Sequence, residues 1–385
     1  MAIPGTLAVI VVALSTKEFK MKKKHQHFIP RTYLKKFAHK IDGDSHFVCA
    51  YNLNNTETKE EMSIRDICVE KDLYTIKHLS GEDKYRIENF FSTVIENRYP
   101  EIYKTIVEEK KEFIEPEERA FILYTTLSLY FRTPKRLNEF TDFAVKLIDQ
   151  IRQEKEPETI NFLGTTISLK DKKLKELKNE IKENQRLDYV KTQIDLFNRF
   201  FEFNSLNGLL VQELKGEQEF ITSDNPVEIR NVFDPRFNLF SDGNMVSIPL
   251  DPKHLLTVMP KNEGTILNKV IYKRDDFFLH VNTNFTTHQN AERWLIGTLK
   301  GITNFKNDFK KYNQPCADDN PLLLIFKEKV KLMAELTFHT ENGISNDNTG
   351  LIEFLKTLKA HKLYNKHLDL RDAYERMKNL GLKIE

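Results

Sequence analysis

Apolar residues recur at intervals of three and four from about residue 82 to 110. Ile87, Phe90, Phe91, Val94, Ile95, Tyr99, Ile102, Tyr103 and Ile106 form one broad helical face there. Pro100 lies inside the run and predicts a kink or a split; Ser80 is a suitable cap. Pro116-Glu117-Glu118 opens the next helix, with acids in the first turn where the helix dipole favours them. Its body, Ala120 to Phe131, is apolar nearly all round and predicts a central buried helix that Pro134 kinks or ends. The helical pattern resumes to about residue 155. Residues 156–167 read as a loop and 168–203 as another helix, charged up to Arg186 and carrying Tyr189, Val190, Ile194, Phe197, Phe200 and Phe201 on a packing face beyond it.

Elsewhere the pattern shortens. His46 to Leu53 reads as a strand ended by Asn54-Asn55. Pro30 opens a short helix that buries Tyr33, Leu34 and Phe37, and Ile64 to Tyr74 reads as a helical turn leading into an extended piece. After Asn204, Leu209–Leu214 and Glu219–Thr222 flank Lys215-Gly216-Glu217 as a hairpin. Met245–Leu250, His254–Met259 and Asp276–Thr283 read as strands, Thr286–Leu299 as a helix, and residues 321–385 as mostly helical with a Gly/Asn/Asp-rich break at 341–350. The fold class expected is α+β: a helix-rich middle packed on a small, mostly antiparallel sheet, with a helical C-terminal extension. Residues 1–24 are expected to be a non-native or flexible N-terminal extension. Residues 25–305 are expected to form the main domain, with a helical insert over about 82–203 and a β-rich part over about 207–283, and 306–385 the extension.

Composition narrows the classes. The 385 residues are 40% hydrophobic and 30% charged, which suits a soluble chain with a core. No apolar run is long enough to span a membrane. The net charge of +2 does not announce a nucleic-acid binder. Three scattered cysteines, Cys49, Cys68 and Cys316, exclude a disulfide scaffold and a CxxC zinc site, and they fit a reducing cytoplasm. The apolar run Leu7–Leu14 has no basic residue before it, unlike a secretory signal, and Met21 opens a plausible start. Residues 1–20 then read as an upstream extension; a weak signal or anchor and an added strand are the other readings. Lys17 to Lys40 is rich in Lys and Arg, with Glu18 as its only acid. It suits phosphate tracking, and the reading set ahead of that is a solvated terminal arm.

Phosphate-loop, HExxH, GxSxG and GxGxxG motifs are missing, which disfavours NTPase, zinc-protease, α/β-hydrolase and Rossmann readings. Glu213-Leu214-Lys215 matches half of a restriction-type nuclease core, a weak signal in so charged a chain. Four segments concentrate polar chemistry. His25 and His27 share one face of an extended backbone, spaced for ligation or acid–base work. Arg132 ends the most apolar helix, where a guanidinium needs an anion. Thr222-Ser223-Asp224-Asn225-Pro226 follows a strand directly, and the run His280 to Asn284 leads to Glu292 and Arg293. Each has a structural reading beside the functional one: a core histidine at His27, a salt bridge at Arg132, an Asx turn at Asp224-Asn225 and a helix cap at Asn284.

His27-Phe28-Ile29-Pro30, then Tyr33-Leu34 and Phe37, resembles the opening of a bacterial family, domain of unknown function 4238. The resemblance continues at Arg132-Thr133-Pro134, Phe220 to Pro226, and Pro249-Leu250-Asp251-Pro252, and ends near Asn284 and Arg293. It covers about residues 25–300 and implies no activity. The leading functional expectation is therefore argued from the residues: a nuclease or phosphodiesterase serving as a toxin or defence effector. His27 is its general acid or base, Arg132 steadies phosphate charge, and Asp224 orients His27 or holds Mg²⁺ or Mn²⁺. His25, Tyr33, Ser223, Asn225, Asn284 and Arg293 are the expected binding residues. The alternative is a non-catalytic module that binds or senses a nucleotide or nucleic acid through Arg132. A structural protein with partner contacts on 168–187 and on the tail is a third reading; a homo-oligomer is open in all three.

Overall fold

The structure is a computed structural model that describes residues 25–75, 85, 88, 91–155, 158–162, 165–231, 239–262, 264–275, 277–312, 332, 349–365, 370–371 and 374–375. The Ser80 cap, the N-terminal extension and most of the helical tail lie outside the described residues. The chain divides into two compact units, residues 1–305 and 306–385.

The first unit opens with strand β1 (His25–His27) and a short helix α1 (Arg31–Leu34) that tightens into one 3₁₀ turn to Phe37. Strands β2 (Lys40–Asp42), β3 (Ser45–Asn52), β4 (Thr58–Ser63) and β5 (Val69–Lys71) follow. A π-helical turn, Phe91–Glu96, precedes α2 (Tyr99–Tyr103) and a second π-helical turn, Lys104–Glu108. Then come α3 (Pro116–Phe131), α4 (Pro134–Lys155), β6 (Thr159–Phe162), β7 (Thr165–Ser168) and α5 (Leu174–Asn204). The β-rich part holds β8 (Gly208–Leu214), β9 (Thr222–Ser223), β10 (Glu228–Asn231), β11 (Asn244–Pro249), β12 (His254–Met259) and β13 (Val270–Asp275). Helix α6 (Phe277–Asn290), strand β14 (Trp294–Gly297) and helix α7 (Leu299–Tyr312) follow. In the second unit, helix α8 (Thr349–Ala360) buries Leu351, Leu355 and Leu358 in a small cluster with Leu363, Leu370 and Tyr374.

The fold is α+β. One five-stranded sheet runs β10-β11-β12-β8-β13, antiparallel except for β13, which lies parallel to β8. The other runs β2-β3-β14-β9, with β4 also on β3. Helix α3 is buried along its length from Ile122 to Phe131, as its unbroken apolar run predicts. Tyr124 meets Phe197 and Phe201 of α5 edge-on, at ring separations of 4.5 and 5.4 Å. Pro134 ends the buried helix and starts the next, and Pro100 sits in the first turn of α2, where its missing N–H costs no bond.

Five local expectations are corrected. The strand expected over 276–283 is not formed by residues 277–283, and the helix expected at 286–299 starts earlier and stops at Asn290. The buried stripe of α6 is His280, Thr283, Asn284 and Thr287. It has helical spacing, but its polar character hides it from a hydrophobic pattern. Trp294–Gly297 is instead a strand buried at every position, a short apolar run that periodicity cannot separate from helix. Leu209–Leu214 and Glu219–Thr222 are not a hairpin: β8 pairs with β12 and β13, while β9 pairs with β14 in the other sheet. Where a loop was expected over 156–167, Thr159–Phe162 and Thr165–Ser168 pair as antiparallel strands. The helical turn expected from Ile64 is non-helical, and Val69–Lys71 is the strand that pairs with β1.

Candidate functional site

Strand alternation turns Gln26 inward and leaves His25 exposed and His27 half-buried. Gln26 accepts the Tyr74 N–H at 2.6 Å and donates to Thr75 Oγ1 at 3.2 Å, which pins β1 to the chain after β5. The His27 ring pairs through Nε2 with the Ile64 carbonyl at 3.2 Å. Burial, followed by the charge of Arg31, holds its pKa below the ordinary histidine value. Tyr33 is fully buried. Its one hydroxyl proton goes to the Pro249 carbonyl at 2.7 Å, so Thr222 Oγ1, at 2.6 Å, donates to it.

Arg132 lies at the end of α3 with its side chain wholly buried. Nη2 donates to the His27 carbonyl and to Glu96 Oε1, both at 2.8 Å. The guanidinium lies 4.6 Å over the Phe91 ring, and Tyr74 donates its hydroxyl to the Arg132 carbonyl at 2.6 Å. Nε and Nη1 are buried without a hydrogen-bond partner among the described residues.

The turn after β9 is built on its own side chains. Ser223 Oγ accepts the Asn225 N–H at 3.1 Å. Asp224 accepts the N–H groups of Glu292, Arg293 and Trp294 at 3.0, 2.7 and 3.0 Å, fixing the entry to β14. Burial pushes its pKa up, and the three N–H donors pull against that. Arg293 joins through its backbone, while its guanidinium lies 5.1 Å over the Trp294 ring. Asn225 accepts from Thr133 Oγ1 at 3.1 Å and donates to the Asn290 carbonyl at 3.0 Å. The Asn290 amide returns bonds to the carbonyls of Asn225 and Val227, each at 2.8 Å. Asn284 caps no following helix. From within α6 it accepts the Ile221 N–H and donates to the Glu219 carbonyl, both at 2.9 Å.

The four segments therefore meet. His27 touches Arg132 through its carbonyl, Thr133 touches Asn225, Asn225 touches the end of α6, and Tyr33 ties the opening to Thr222 and Pro249. Among the described residues, no hydrogen bond joins the side chains of His27, Arg132 and Asp224 to one another. His25 stays on the outside. Glu213 is held by Lys110 at 2.7 Å. Among the described residues, no group of three or more His, Cys, Asp or Glu side chains is placed to hold a metal ion.

A cleft of about 450 Å³ opens beside this network, between α3, α4, β10 and α6. Tyr130, Arg136, Glu139, Glu228, Gln289 and Asn290 are in its wall. Sequence reasoning passed over all six, because none belongs to a motif. The nearest signal was Arg136, four residues beyond Arg132 and just past Pro134. A second unforeseen group surrounds Asp251, whose carboxylate accepts from the Tyr103 hydroxyl and from the backbone N–H groups of Lys253 and His254. It also takes His254 Nδ1 at 2.8 Å. His254 Nε2 is buried without a hydrogen-bond partner among the described residues.

The model of the family described as protein of unknown function, DUF4238, matches residues 25–301, and the chain belongs to that family. No curated protein and no solved structure matches the chain. Among the described residues, no helix is long and apolar enough to cross a membrane.

Proposed function

We propose that this family member is a binding module for a nucleotide or a short stretch of nucleic acid, without chemistry of its own. The cleft between α3, α4, β10 and α6 carries the reading. It has the volume of a small-molecule site, and its wall is set by motif residues: Thr133 holds Asn225, and Asn225 holds Asn290. A cation stacked on an aromatic ring, carboxylates and a side-chain amide stand together there, the donor and acceptor mixture that a base and a phosphate require.

The use made of the expected catalytic groups favours binding over phosphodiester cleavage. Asp224 spends its carboxylate on three backbone N–H groups. The Arg132 side chain has no exposed surface and holds the His27 carbonyl and Glu96. The His27 ring is engaged with the Ile64 carbonyl. All three act as ties between segments that are distant in sequence.

The test titrates the full chain with AMP, ADP, GTP and a short single-stranded oligonucleotide by calorimetry. The same samples, with tRNA and plasmid DNA added, are scored for cleavage in Mg²⁺, Mn²⁺ or EDTA. Saturable binding without product supports the module. Cleavage that His27→Ala abolishes while the melting temperature stays unchanged replaces it with the phosphodiesterase.

A further inference from the structure

We infer that Arg136 is the anion anchor of the cleft and that Glu139 occupies it as a stand-in until a phosphate group displaces it. The inference rests on the reading of the cleft as a nucleotide site and names the group that takes the phosphate.

The Arg136 guanidinium lies 4.0 Å over the Tyr130 ring, so one face of the planar cation is covered and its orientation is set. Nη1 donates to Glu139 Oε2, one turn along α4. Nε is buried and has no hydrogen-bond partner among the described residues. A guanidinium offers five donors in a fork that matches two oxygens of a phosphate or carboxylate, and here Nε lacks an acceptor among the described residues.

The burial of the two partners differs in a useful direction. The Arg136 side chain is 18% exposed and that of Glu139 is 49% exposed. The cation is seated in the wall and the carboxylate stands half in solvent, where an ion pair is weak and readily exchanged. The other acid in the wall is already claimed: Glu228 is held by Arg230, with Nη2 2.9 Å from Oε2. Lys135 adds a second cation beside Arg136, its Nζ resting on the Asn290 carbonyl at 2.6 Å. The groups facing Lys135 are Arg136, Glu139, Asp224 and Glu292.

An incoming group must outcompete a carboxylate attached to the same helix. A free carboxylate has the same charge and geometry and no such tether. A phosphate monoester or diphosphate brings more charge and a third acceptor oxygen, so the ligand chemistry is a phosphate. A free nucleotide and the 5′-phosphate end of a nucleic acid both present it.

Calorimetry on the full chain, with pyrophosphate, ADP and a 5′-phosphorylated oligothymidine as probes, tests the anchor and separates the two sources. Glu139→Gln removes the competing charge and should tighten the probe that binds by up to about fivefold. Arg136→Lys keeps the charge, loses the planar fork and its stacking, and should weaken it about tenfold. Circular dichroism confirms that both variants fold. Unchanged affinity in either folded variant, or weaker binding by Glu139→Gln, overturns the anchor. Pyrophosphate binding that follows both variants without any preference for ADP or the oligonucleotide upholds the anchor and removes the nucleotide reading. ADP binding that ignores both variants does the reverse. Failure of every probe with all three proteins overturns both.

Discussion

Thr133 donates its side-chain hydroxyl to the Asn225 side chain across 3.1 Å, joining the turn that ends the central helix to the turn that follows β9. Both residues are buried, and they lie 92 positions apart. This bond closes a chain of contacts that runs on through Asn290 to the cleft wall.

Removing it should cost stability and shape together. Asn225→Ala strips acceptor and donor, leaving the buried Thr133 hydroxyl without its acceptor and the Asn290 carbonyl with the Lys135 ammonium alone, a loss of about 2 kcal/mol. Thr133→Val alone should cost about 1 kcal/mol. Urea unfolding of both single variants and the double variant measures the coupling, and additive losses would show that the bond contributes nothing of its own.

Asp224→Asn is the sharper substitution. The amide keeps one acceptor oxygen but turns its NH₂ donors toward N–H groups that the carboxylate had satisfied. A destabilisation of about 3 kcal/mol is expected, read as a lower urea midpoint. A midpoint equal to wild type would free Asp224 from its structural role and return it to the list of reactive groups.

Tyr33→Phe removes one oxygen from a buried three-way junction with Thr222 and Pro249. The expected loss is about 1–2 kcal/mol, with affinity for cleft ligands unchanged. A fall in affinity without a fall in stability would make Tyr33 a binding residue.

His27 gives stability a pH dependence of known sign. Burial, then Arg31, places its folded pKa below the model-peptide value of about 6.5. As pH falls below that value, the unfolded chain takes up a proton before the folded chain does. The contribution of His27 is therefore fully present above about pH 6.5 and is lost as pH falls through the folded pKa. Melting temperatures of wild type and His27→Gln, taken from pH 8 to 5, should converge toward acid. Parallel curves would show that the ring titrates alike in both states.

Long-period features were legible in the sequence. The unbroken apolar run of Ala120 to Phe131 can be buried on all sides only as a central helix, and Pro134 cannot continue it. The motif segments were also visible, because Tyr33, Thr222 to Pro226 and Pro249 are polar or turn residues set directly against apolar runs. Helix α6 was not legible: its buried stripe is polar, and Asn284 is tolerated there only because Ile221 and Glu219, in the segment before β9, supply its bonds.

Local pattern thus determined that this chain is α+β, where its central helix runs and which segments carry unusual polar chemistry, since spacing and proline placement act within a few residues. Tertiary structure decided what those polar groups do. Whether Asp224 faces a ligand or three N–H groups, and whether Arg136 lies against Tyr130 and Glu139, depends on which distant segments arrive beside them. No periodicity records the partner that satisfies a buried donor or acceptor.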